Sequence, residues 1–312
     1  MNKLLFPIVI AALFLGGSCT KTSSATNNGD LLATYSSMDT IFGFLSAPAK
    51  YVTMNADTGG TFFGASGTRY IFPPSAFIDG SANNVSGNIQ LVVTEFLQKG
   101  DMIFSGVLPV SNGSALFSAG EIYEYASQNG QQIFLKPGYT FQANVPQGGT
   151  PQSGMVFFQG YAGTNITNKV NWQLSDSLTY GSIIYDGDTI SIISDSLHYC
   201  NADQFMDSPK YQSFTVTVGV TGASLSSSST VYGYALYDNY KGVWPMTNFS
   251  GNVFTEGHVP NIPVHFAVFA LINNRFYAGV IAAIPAKGSN YLINLTEVDP
   301  ASFKSQLNLL VK

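Results

Sequence analysis

Residues 67–106 read GTRYIFPPSAFIDGSANNVSGNIQLVVTEFLQKGDMIFSG, and this stretch decides the fold class. Tyr70-Ile71-Phe72 is a short extended run stopped by Pro73-Pro74, because proline offers no N–H to a sheet and fixes its own φ. The polar segment from Ser75 to Gly87 carries turn signals at Asp79-Gly80 and Asn83-Asn84. Beyond it, Ile89, Leu91, Val93 and Glu95 share one face of an extended run, and Gln90, Val92, Thr94 and Phe96 share the other. The spacing predicts a long strand, apolar on much of both faces. Leu97-Gln98-Lys99-Gly100 has the length of a hairpin turn and predicts a partner strand over 101–108.

On either side the same signals recur. Strands are predicted over 51–54, 60–64, 115–125, 131–135, 139–145 and 155–161. Further strands follow over 181–185, 189–193, 211–220, 231–237, 242–246, 264–271, 275–284 and 290–295. Asn129-Gly130, Pro137-Gly138 and Asn273-Asn274 supply turn chemistry between neighbours. Two short helices are expected. Tyr35, Met38, Ile41, Phe42 and Leu45 fall at helical spacing, and Asp299-Pro300 opens a helix that carries Phe303, Leu307 and Leu310 on one side. Composition dips at 148–154 and 163–169, and the second dip is read as the module junction. No fixed-period repeat is present, which argues against a propeller or solenoid. The expected fold is all-β, with two β-sandwich modules in tandem over 31–164 and 165–312 and a short C-terminal helix.

Ahead of the first module, MNKLLFPIVIAALFLGGSC has one lysine, an apolar run from Leu4 to Leu15 and a small-residue exit. This is the pattern of a secretory signal peptide over 1–18, too short for a convincing membrane span. Cys19 directly after Gly-Gly-Ser resembles a lipobox, with the usual leucine shifted one place to Leu15, and is the expected lipid-attachment site. Residues 19–30 hold no apolar side chain large enough to drive ordering and read as a tether. A diacylated cysteine suffices for stable anchoring. Thr20 stands where an inner-membrane retention signal would place Asp, so the outer membrane is the expected location, with the face left open.

Composition narrows the function classes. Apolar residues make up 45% of the 312-residue chain and charged residues only 10%, enough for a large core and for about two domains. Without Lys3 the mature chain carries 12 basic against 18 acidic residues. The basic residues are scattered singly, which gives no footprint for nucleic acid. No cofactor motif is present. Cys200 is the one cysteine left after lipidation, so an internal disulfide is excluded, and no basic neighbour in sequence activates the thiol.

The pieces Gly67-Thr68, Phe72-Pro73-Pro74-Ser75-Ala76-Phe77, Gly87-Asn88-Ile89, Glu95 and Lys99-Gly100-Asp101-Met102-Ile103 resemble the ZU5-like β-domain of lipoproteins from the Bacteroidetes. The resemblance covers roughly 50–146 and continues through Ala119-Gly120-Glu121-Ile122-Tyr123, Asn129-Gly130 and Lys136-Pro137-Gly138. It implies a β-sandwich and an envelope role without a catalytic signature. Some members of the wider ZU5 group cut themselves at a His-Phe-Ser tripeptide. Here Ile103 precedes Phe104-Ser105 and Ala267 follows His265-Phe266, so the resemblance implies no self-cleavage.

Four places carry candidate chemistry. Asp195, His198, Cys200 and Asp203 include metal-donor types, but no second His or Cys is near, and a structural connection with local caps at Asn201 and Asp203 is the competing reading. Asp186-Gly187-Asp188 offers paired carboxylates for calcium, but reads first as a tight hairpin turn. Glu95, Glu121 and Glu124 show no paired arrangement for glycosidase work, and Glu95 is expected to tie its sheet to Lys99 or to backbone. No nucleophile elbow occurs, and His265 reads as a satisfied core histidine. Tyr237, Tyr240 and Trp244, grouped around Asp238-Asn239, are the candidate ligand-binding aromatics for a sugar or a protein. The competing reading places Tyr237 and Trp244 in the core. The expected function is a non-catalytic, membrane-anchored lipoprotein with an envelope-protein partner. Alternatives are a glycan-binding lipoprotein and a metal-dependent hydrolase centred on His198 and Asp203.

Overall fold

A computed structural model describes residues 33–165, 168–175, 181–206, 211–227 and 229–310. The signal peptide, Cys19 and the tether lie outside the described residues. By their contacts, residues 32–312 form one compact unit. Among the described residues the strands form sheets of nine, five and eight strands, with three helices beside them. The architecture is all-β and sandwich-like, as the sequence predicts.

The run from Asn88 to Phe96 is a strand near one edge of the nine-stranded sheet, paired antiparallel to Ala49–Asn55 on one side and Ser114–Gln128 on the other. Its alternation sets the layering. Ile89, Leu91 and Val93 are buried against the five-stranded sheet, in a core with Tyr70, Phe72, Phe141, Phe157 and Ile192. Phe72 holds this core through stacked rings, 5.3 Å from Phe141 and 6.1 Å from Phe62. Phe96 points the other way, into a second core with Phe158, Trp172, the three helices and the eight-stranded sheet. The nine-stranded sheet is therefore buried on both faces around its centre. Along this strand burial alternates, with Gln90, Val92 and Thr94 half-buried on the second face and only Phe96 fully buried there, where the sheet nears its doubly covered centre.

Two expectations are corrected. Residues 101–108 are not a strand: Lys99–Ser105 is a helix, α2, between α1 (Met38–Leu45) and α3 (Pro300–Leu309) in chain order. Met102, Ile103 and Phe104 are consecutive and all buried, and a short apolar run of this kind has no period by which to tell strand from helix. Gly106, at φ 68°, ends α2 in a left-handed cap that glycine adopts without strain. At the other end, a Cβ on Gly100 would run into Asn308 Oδ1 of α3.

The junction is also displaced. Val156–Asn165 and Asn168–Leu174 pair as a hairpin with Asn165 opposite Asn168, so a cut at 164/165 would run through it. Thr189–Ser194 joins the five-stranded sheet beside Phe141–Pro146. Tyr199–Phe205 lies in the nine-stranded sheet between Ser114–Gln128 and Val156–Asn165. The first two sheets thus take strands as far as Phe205, and the eight-stranded sheet begins at Tyr211. Residues 163–165 and 168–169, polar and glycine-containing, belong to paired strands and not to a linker. Asp186-Gly187-Asp188 does form the expected tight turn, with Asp186 opposite Thr189.

Candidate functional site

An open cleft of about 580 Å³ lies where that hairpin faces Val243–Met246 and Val253–Pro260. One wall carries Asn112, Asn168 and Asn171; the other carries Trp244, Thr247, Asn248, Glu256 and His258. Asn112 and Asn171, far apart in sequence, fix each other. Asn171 Nδ2 donates to Asn112 Oδ1 at 2.9 Å, and the Asn112 backbone N–H donates to Asn171 Oδ1 at 2.8 Å.

Glu256 organises the opposite wall. The strand Val253–Pro260 slips register against Tyr211–Val220 between Gln212 and Phe214, so Gly257 and His258 sit in a bulge. A bulge frees backbone N–H groups from the ladder, and here both turn onto the Glu256 side chain. Gly257 N and His258 N donate to Oε1 at 2.7 and 2.8 Å. Trp244 Nε1 donates to Oε2 at 3.1 Å, and His258 Nδ1 lies 3.3 Å from Oε1. Glu256 is buried while the His258 side chain is 65% exposed. With Nδ1 as the donor to Glu256, His258 keeps Nε2 as an acceptor. Its ring is flanked by Trp244 at 5.9 Å and Tyr211 at 6.0 Å.

Of the three aromatic residues singled out in the sequence, only Trp244 lines this cleft, and it is 8% exposed. Tyr237 is buried against Gly242 and Phe117, and Tyr240 is half-buried with one face stacked on Phe117 at 3.9 Å. The three do not form a platform. The core reading holds for Tyr237, because it lies on a central strand whose both neighbours are paired.

The other candidates disperse. His198 is exposed beside Tyr123, whereas Cys200 is buried and faces the five-stranded sheet. Cys200 Sγ lies 3.7 Å from Glu124 Oε2, and burial, followed by the Glu124 carboxyl, pushes the thiol well up. Asp203 points to the opposite face from Cys200, as its place three residues along the same strand requires. Among the described residues, no group of three His, Cys, Asp or Glu side chains converges. His265 is satisfied by Asp238, with Nδ1 2.6 Å from Oδ1. Glu95 accepts from the backbone N–H groups of Ser66 and Thr68 at 2.6 and 3.0 Å. The expected tie to backbone is present, but the tie to Lys99 is not. Lys99 instead donates to the carbonyl oxygens of Tyr237 and Leu310, and burial lowers its pKa to about 8.

No protein-family model matches the chain, and none of the curated proteins compared with it does either. Among the described residues, no helix is long and apolar enough to cross a membrane.

Proposed function

We propose that the protein is a lipid-anchored, extracytoplasmic binding protein of the outer membrane, held by Cys19, and that its cleft takes a neutral, hydroxyl-rich ligand such as a glycan. The carrying observation is the lining of the cleft. Asparagine amides supply donors and acceptors, and the exposed His258 ring adds surface, with the buried Trp244 forming the floor behind it. The one carboxylate in the lining, Glu256, already accepts from Trp244, Gly257 and His258. It is therefore spent on the protein itself and offers no free charge to a cation. Among the described residues, no lysine or arginine lines the cleft to recruit a phosphate or carboxylate. Clefts of this size that hold a few placed polar groups are usual ligand sites.

The role is non-catalytic in this reading. A two-carboxylate glycosidase needs a second acid facing the first, and among the described residues Glu256 is the only acid in the lining. A ZU5-like relationship and an envelope location fit the same picture. A protein-partner role is the second reading, favoured by the exposed apolar side chains Phe44 on α1 and Leu309 on α3.

A glycan array with the mature protein tests the proposal, run beside His258→Ala and Asn248→Ala. Both side chains are exposed, so these variants keep the fold. Binding of neutral glycans that falls about tenfold or more in either variant supports the cleft. Absence of glycan binding, or binding indifferent to both substitutions, would reject it.

A further inference from the structure

On the nine-stranded sheet, the face turned away from the five-stranded sheet is covered at its centre and open towards one edge. The change runs row by row across the strands Ala49–Asn55, Asn88–Phe96 and Ser114–Gln128. Phe96 and Glu121 stand opposite each other and are both buried. One row further out, Thr94 and Tyr123 are half-buried. The next row is Tyr51–Val92–Tyr125, open to solvent at Tyr51, which is 69% exposed. The row after it, Thr53–Gln90–Ser127, lines a shallow pocket of about 390 Å³.

These open rows share one chemistry. None of their side chains is charged, because Lys50 and Glu124, the charged neighbours in sequence, belong to the opposite face of the pleat. Tyr51 and Tyr125 lie two strands apart, roughly 10 Å at the usual strand spacing, which is close to the length of two sugar rings joined end to end. Beside them, among the described residues, nothing in the protein takes up the side-chain polar atoms of Thr53, Gln90 or Ser127. Gln128, at the edge of the pocket, is instead fixed by giving Nε2 to the carbonyls of Ser86 and Asn88 at 2.7 and 3.1 Å. Rings next to free hydroxyls and an amide suit a ligand with apolar C–H faces and hydroxyl edges. A protein interface centred on tyrosine usually adds Trp, Arg or Met, and these rows hold none.

We propose that this open sheet face is a second binding surface, and that it takes a neutral, unbranched polysaccharide chain laid flat across the strands. Sugar rings rest on Tyr51 and Tyr125, and their hydroxyls reach the Thr53–Gln90–Ser127 row. A flat face selects ribbon-like chains over coiled or branched ones, since only a ribbon touches both tyrosines at once. The surface shares no residue with the cleft, so it stands or falls on its own.

The test is depletion of the full mature chain from solution by insoluble cellulose, mannan and xylan, each a neutral ribbon-like polysaccharide. Wild type, Tyr51→Ala, Tyr125→Ala and His258→Ala are compared. The wild type is expected to bind at least one of the three, with Kd about tenfold weaker in Tyr51→Ala and in Tyr125→Ala. Should Tyr125→Ala not fold, Tyr51→Ala decides, because that side chain is mostly in solvent. His258→Ala reports on the cleft alone, so the two readings fail separately. No binding to any of the three polysaccharides would overturn the proposal. Binding that is unchanged in Tyr51→Ala would overturn it too, and if it falls only in His258→Ala the polysaccharide belongs to the cleft.

Discussion

Glu256 and the Glu121–Asp203 pair are buried carboxylates in one chain, yet they meet opposite circumstances. Glu256 takes the N–H groups of Gly257 and His258 and the indole of Trp244. Glu121 and Asp203 receive no backbone N–H and have only the side chains of Ser118, Asn201 and Trp172 close by, and three of their oxygens take no well-aligned hydrogen bond. The difference lies in where the backbone N–H groups go. At Gly257 and His258 a bulge takes them out of the ladder and turns them onto the neighbouring side chain. Around Glu121 the strand is paired on both sides, so the ladder uses those N–H groups. A bulge exists there too, at Ala119, but the Gly120 N–H goes to Ser118 Oγ at 3.1 Å. A carboxylate can be buried inside a sheet at little cost only where backbone irregularity supplies it with donors. Where it does not, a proton has to, and burial raises both carboxyls accordingly.

The comparison breaks first at Glu256. Glu256→Ala would strand the donors of Trp244, Gly257 and His258 beneath the surface, and is expected to cost about 3 kcal/mol or more in urea denaturation. A loss below about 1 kcal/mol would mean that the donors find water, and that the site is less closed than its geometry indicates. Glu95→Ala removes two donors' worth of acceptance, from Ser66 and Thr68, and is expected to cost about 2 kcal/mol by the same measurement.

The pair should behave in the reverse sense. Glu121→Gln with Asp203→Asn is expected to be at least as stable as the wild type at neutral pH, because two poorly compensated buried carboxyls are gone. Clear destabilisation of that variant in urea denaturation would contradict the comparison.

Acidity sharpens the point. Burial first, and the Asp203 charge second, push the Glu121 carboxyl well above its ordinary range, while burial does the same for Asp203 and Glu124. The unfolded chain releases these protons near pH 4 and the folded chain holds them to a higher pH. Between those values the folded state binds more protons, so its stability is greatest at the acid end and falls as pH rises. Tm is therefore expected to drop by several degrees between pH 5 and pH 7.5. Lys99 acts in another window. Its folded pKa of about 8 lies below its unfolded value near 10.4, so its cost is fully present below pH 8 and is relieved as pH rises above that. A Tm that stays level or climbs from pH 5 to 7.5 would contradict the assignment. The smallest stability effect is expected for His258→Ala, within about 0.5 kcal/mol because the ring is exposed, with its consequence confined to binding.

The strands were legible where the pattern had a period. Ile89, Leu91, Val93 and Glu95 alternate with their neighbours, and Asp299-Pro300 marks the start of α3, where the Asp299 side chain accepts from Ser302 N. Legibility failed where local chemistry was ambiguous. Met102-Ile103-Phe104 fits a buried strand or a buried helix equally well. Residues 163–165 and 168–169 have the composition of a linker but belong to paired strands. The cleft was harder still. Glu256 and His258 are brought together by a bulge that no residue type announces, and Asn112 meets Asn171 only through tertiary pairing. Tyr237 and Tyr240 carried the chemistry of a sugar platform, but Phe117 covers them.

The most direct test of the account is a crystal structure of the mature protein with the strongest neutral glycan from the array. The account expects a sugar ring in the cleft, hydrogen-bonded to its asparagines and to His258 Nε2, with Glu256 still held by Trp244, Gly257 and His258. A glycan bound only away from Trp244 and His258, or a cleft taken up by an anionic ligand, would contradict it.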